Sequence, residues 1–133
     1  MRLDALKTWL LWLVIVHLAV ALLHGFAHSS ARVDLTPAAN AFVIIVILIG
    51  PIAGLGLTFL RPRLGAGVVG ASMAGALVFG VIKHFVLESA DHVMQVDPDW
   101  RLLFGSTAAV LSLLEGGATI VGALAAFRGK GSR

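Results

Sequence analysis

WLLWLVIVHLAVALLHGFA, residues 9–27, is the stretch on which the fold turns. It is nineteen residues long with no charged side chain, which is the length a helix needs to cross the roughly 30 Å hydrocarbon core of a bilayer. Three further stretches have the same character, at residues 41–60, 65–87 and 102–127. They predict an all-α integral membrane protein, a four-helix bundle in a single domain covering residues 1–133. Short connections join antiparallel neighbours, so the simplest topology is up-down-up-down.

Composition agrees. Hydrophobic residues make up 59% of the 133 and charged residues 13%, where a water-soluble domain carries roughly a quarter charged; mean hydropathy is +0.97. The chain has no cysteine, which excludes disulfides, cysteine-ligated zinc and iron–sulfur clusters and leaves imidazole and carboxylate as the main available ligands. The length leaves no room for a separate soluble enzyme.

The net charge of +3 could indicate nucleic acid, but its distribution indicates the bilayer. Arg2, Lys7, Arg61, Arg63, Arg128, Lys130 and Arg133 fall at the N-terminus, second connection and C-terminus, while the opposite side holds Arg32, Arg101 and most of the acids. By the positive-inside rule both termini are cytoplasmic, in a bacterial inner membrane. The excess charge then attracts anionic lipid, and no nucleic-acid partner is expected. Trp9 and Trp100 stand at span ends, where interfacial tryptophan belongs. Arg2 and Lys7, the apolar run and Gly25-Phe26-Ala27 also fit a signal peptide, but the run is long for one and contains histidines.

Small residues recur every fourth position in the third span (Gly67, Ala71, Gly75), a pattern that lets helices approach closely in lipid. Gly116, Gly117 and Gly122 offer the same in the fourth. These faces serve internal packing or a partner in a homo-oligomer or larger membrane complex. Gly50-Pro51 is expected to kink the second span.

Ionisable groups at membrane depth are expensive and point to function. The first span carries His17, His24 and His28, and spacings of seven and eleven return to within about 20° of one helix face. In the third, Glu88 and Asp91 follow His84 at four and seven, again on one face if the helix continues; His92 lies about 80° further round. The fourth has Ser112, Glu115 and Thr119 on one stripe.

A rise of 1.5 Å per residue sorts these groups by depth. His17 and Glu115 fall near the midplane, His24 and His84 roughly 10 Å outside it, and His28 and Glu88 roughly 15 Å. A His24-x-x-x-His28 pair facing His84-x-x-x-Glu88 would hold a transition metal such as zinc, iron, copper or nickel. His24, His28, His84, Glu88 and His92 are the candidate ligands. Asp91, His17 and Glu115 are candidates to orient the imidazoles through their second nitrogens.

Two other readings stay open. Four-helix membrane cytochromes hold b-type haem between histidines on two helices, and the His24/His84 level resembles that arrangement. The acids beside His84 and His92 suit a non-haem ion better. Alternatively the histidines only hydrogen-bond in a structural or helper subunit, or Glu115, His17 and His24 form a proton path. Phe79-Gly80-Val81-Ile82-Lys83-His84-Phe85, followed by Ser89-Ala90-Asp91-His92-Val93, resembles a signature of small bacterial four-helix membrane proteins, and His24-Gly25-Phe26-Ala27-His28 resembles their first helix. That resemblance implies the four-helix fold and brings no activity, so whether the chain is an enzyme stays undecided.

Overall fold

The computed structural model describes residues 3–127. Arg2, Arg128, Lys130 and Arg133, which carry part of the charge asymmetry, lie outside them. The chain is helical, with no strand among the described residues, and four helices are each long and apolar enough to cross a membrane. We label them α1 (Leu3–Ser30), α2 (residues 37–60), α3 (Pro62–Val86) and α4 (Pro98–Phe127).

Local chemistry sets the ends. Thr36 caps α2, its hydroxyl accepting from the Ala39 amide at 3.2 Å, and Pro37 follows where no amide hydrogen is needed. The expected irregularity at Gly50-Pro51 takes the form of a π-helical stretch, Val43–Ile49, which hands over to an α-helical segment at Gly50. Proline removes one amide from the ladder, and a wider turn just before it accommodates the loss. Arg61, at φ −136° and ψ 80°, makes the break between α2 and α3.

The end of α3 differs from the sequence expectation. Residues 82–86 are π-helical, and the helix stops at Leu87, whose backbone is extended (φ −83°, ψ 124°). The chain then folds back on the helix end, the Val93 amide donating to the His84 carbonyl at 2.9 Å.

Helix α4 packs against both α1 and α3, and α2 packs against α3. The buried faces of α1, α3 and α4 share a gradient. On α1 the stripe starts with Leu6, Leu10 and Val14 and continues with His17, His24 and Ala27. The apolar end meets Ala66, Val69 and Met73 of α3 and Ala118 and Ala125 of α4. At the other end Ala27, Val33, Val96 and Phe104 form a smaller apolar cluster. The outward surface is covered by large apolar side chains, among them Leu22, Phe59, Leu102 and Leu113, each more than 70% exposed. Such a surface needs lipid as its solvent.

The closest helix contacts involve other glycines than the Gly67/Ala71/Gly75 stripe. A Cβ at Gly122 would lie 2.8 Å from the Ala66 carbonyl oxygen and the Gly70 Cα, and one at Gly54 would lie 2.8 Å from the Val69 nitrogen. Backbones therefore touch where α3 meets α4 and α2, an internal use of small residues. Ala71 is exposed.

Candidate functional site: a buried imidazole cluster

Three of the five histidines converge. One ring nitrogen from each of His24, His28 and His84 falls within 4.8 Å of the others, and these three are the group among the described residues placed to hold a metal ion. His24 and His28 are one helical turn apart on α1, with ring centroids 4.8 Å apart and edge-on. His84, from the π-helical end of α3, brings its ring to 4.9 Å from His24 and 5.6 Å from His28. Phe104 of α4, fully buried, lies beneath all three at 4.7–5.1 Å.

The outer nitrogens are held by oxygens. His84 Nδ1 donates to the Asp91 carbonyl at 3.0 Å, and His28 Nδ1 to the Val33 carbonyl at 3.4 Å. His24 Nδ1 lies 2.8 Å from the Thr107 hydroxyl, which itself donates to the Leu103 carbonyl at 2.7 Å. A hydroxyl has one proton. With that proton committed to Leu103, the Thr107 oxygen accepts from His24 Nδ1. His24 and His84 then present bare Nε2 lone pairs to one another at 3.2 Å. Two facing lone pairs repel unless a cation or a proton lies between them.

Asp91 adds a negative charge. It is buried, its Oδ1 has no hydrogen-bond donor among the described residues, and that atom lies 3.5 Å from His28 Nε2 and 3.9 Å from His84 Nδ1. It reaches this depth because the chain after Leu87 folds back. The same break turns Glu88 outward: it is exposed beyond the helix end and does not join the trio. His92, half-buried, accepts from the Met94 amide at 3.2 Å and also stands apart.

His17 and Glu115 meet as their matching depths require. His17 Nε2 donates to Glu115 Oε1 at 3.1 Å in an interior where the histidine is fully buried, and His17 Nδ1 has no partner among the described residues. Glu115 shares a cavity with the trio, so the pair is a second polar layer below the cluster, not a direct support of it.

Thr107 and Phe104 were not singled out by the sequence. A signal for Thr107 existed: it precedes Glu115 by eight residues, about 12 Å along α4, much as His24 follows His17 by about 10 Å along α1. Phe104 carries no such signal, since an aromatic on an apolar helix usually packs.

Fold and site together define a small multi-pass helical protein with a buried histidine cluster. Comparison with protein-family models, with curated proteins and with solved structures finds no match, so the functional reading rests on the site's own chemistry.

Proposed function

We propose that this chain is a bacterial inner-membrane metalloprotein holding one transition-metal ion between His24, His28 and His84. In this reading the helices run up-down-up-down with both termini cytoplasmic, as the basic residues favour, and the trio lies toward the periplasmic side.

One observation carries the metal reading: the buried Nε2 atoms of His24 and His84 face each other at 3.2 Å while oxygens hold their Nδ1 atoms. With metal–nitrogen bonds of about 2.0–2.1 Å, that separation corresponds to a nitrogen–metal–nitrogen angle of about 100°, near tetrahedral. Anchoring each imidazole through its second nitrogen is how metal sites fix tautomer and ring direction. The third nitrogen closes in by about 1.5 Å at most to complete a three-histidine set with that bond length. The fourth position is then open to the Asp91 carboxylate, water or a ligand. Zinc, iron and copper all accept such a set.

Haem fits less well. Bis-histidine ligation puts the two nitrogens on opposite faces of a flat macrocycle, and here the rings are edge-on with no gap for a porphyrin.

The 3.2 Å contact also favours a second reading, a metal-free hydrogen-bond chain. Thr107 would donate to His24, His24 Nε2 to His84 Nε2, and His84 Nδ1 to the Asp91 carbonyl. It forfeits the 2.7 Å bond from Thr107 to Leu103 and leaves Asp91 Oδ1 without a donor.

Elemental analysis and an absorption spectrum on one gently solubilised sample test the assignment. The metal reading expects about one ion per chain and its loss in His84→Ala. Background metal content with no zinc uptake on titration would establish the hydrogen-bond chain, and a Soret band would establish haem.

A further inference from the structure

A cavity of about 520 Å³ lies between α1, the π-helical stretch of α2, α3 and α4. Its polar lining includes the histidine trio and Asp91 and, nearer the midplane on α4, Ser112 and Glu115. The walls between are apolar, with Leu22, Val43, Ile47, Phe79 and Leu111 among them. Cavities of a few hundred Å³ with apolar walls and a few converging polar groups are the usual form of a small-molecule site.

Two wall positions are glycines with open space beside them. A Cβ at Gly25 would meet nothing within 4 Å, and one at Gly80 only a His84 ring carbon at 3.9 Å. The glycines that bring helices together, Gly54, Gly70 and Gly122, each have backbone within 3.4 Å of that point. Gly25 and Gly80 therefore leave open volume in front of the trio.

Charge narrows the occupant. Asp34, Asp91 and Glu115 line the cavity, and among the described residues no lysine or arginine does. In the metal reading a divalent ion at the trio would offset two of these carboxylates, and the third, Glu115, is engaged by His17 Nε2 at 3.1 Å. A cavity so balanced favours neither an anionic nor a cationic head. Among its lining residues Leu22 is 71% exposed on the apolar surface, beside the exposed Ser29, Asp34 and Asn40, so the cavity adjoins both the bilayer and the polar end of the bundle.

We infer that the cavity between α1 and α2 binds a bilayer-soluble molecule with an uncharged oxygen head, hydroxyl or carbonyl, on an apolar body. The head lies toward the trio, and this orientation rests on the metal reading above. Quinones and monoacylglycerols both carry such a head.

The test uses the full chain in phosphatidylcholine nanodiscs, loaded with zinc and checked by elemental analysis. Binding of decylubiquinone, monoolein, palmitate and a cationic alkylammonium is measured on each sample. The expected result is saturable binding, one per chain, of decylubiquinone or monoolein, the arm that binds naming the source. Gly25→Leu and Ser112→Leu, which fill the cavity from α1 and α4, should weaken binding at least tenfold. Gly56→Leu, at an exposed glycine with equally open space but outside the cavity, should leave it unchanged. No saturable binding of either uncharged probe, tighter binding of palmitate or the alkylammonium, or indifference to both filling variants would each overturn the inference. Zinc retained without ligand binding refutes the cavity site alone. Ligand binding that the filling variants block, in protein that takes up no zinc, supports the cavity and refutes the ion.

Discussion

Thr107→Val replaces a hydroxyl by a methyl of nearly the same shape and leaves His24 Nδ1 without its oxygen at 2.8 Å. Both residues are buried, so no solvent takes the hydroxyl's place. Losing the oxygen that orients a metal-bound imidazole typically weakens metal affinity 10–100-fold, equivalent to about 1.4–2.7 kcal/mol. The metal-free protein should lose less, because a hydrogen bond between membrane helices averages about 0.6 kcal/mol. The variant is therefore expected to fold, with zinc affinity falling by one to two orders of magnitude while Thr107→Ser stays near the parent. A chelator-competition titration in detergent at pH 7 measures this. If Thr107→Val binds zinc within twofold of the parent while His24→Ala has lost it, Thr107 does not hold the ring and the tautomer argument fails.

Asp91→Asn should weaken zinc binding in the same titration by roughly tenfold, since it removes the charge 3.5 Å from His28, a loss in the range for groups that support metal ligands. Glu88→Ala, at an exposed position, should leave it unaltered; the reverse order of effects would show that the α3 helix continues to Glu88. His17→Leu or Glu115→Leu alone strands one member of a buried pair and should destabilise the protein by about 3–5 kcal/mol, whereas the double replacement should recover most of that loss in a denaturant or steric-trapping assay. Equal destabilisation in the double variant would contradict a simple pair. Gly122→Val would push a side chain into the Ala66 carbonyl and the Gly70 backbone; overpacking of this kind costs about 1–3 kcal/mol, and an unchanged midpoint would contradict the close α3–α4 approach.

The four spans were legible because their signal is simply length and hydropathy. The meeting of His17 with Glu115 and of His24 with His84 was legible too, since helical rise fixes depth and helical period fixes face. What sequence could not show begins at Leu87. Treating residues 84–91 as one continuous helix put Glu88 beside His84. The π-helical end of α3 and the extended Leu87 reverse the roles, sending Glu88 to the surface and Asp91 into the interior. Helix ends are where periodicity loses its force, because one non-helical residue re-aims every side chain after it. The glycines divide for a related reason. Spacing marked Gly122, which does touch α3 backbone, but also Gly67, Ala71 and Gly75, where no neighbouring backbone comes as near; contact depends on which face meets a neighbour, and that is decided by how α2 and α4 pack. Thr107 was hidden by being uncharged: depth arguments that count only ionisable groups pass over a hydroxyl that directs a proton.

The histidine trio has a consequence for how the protein is made. His24 and its oxygen partner Thr107 are 83 residues apart in sequence, and Phe104, the floor under all three rings, belongs to the last helix. A chain emerging into the bilayer has placed all three histidines before α4 exists, but His24 then lacks its oxygen partner and all three lack the ring beneath them. The completed geometry arises only when the fourth helix docks. Any ion the trio holds firmly would therefore be acquired after insertion ends, and its presence would mark chains whose assembly has been finished.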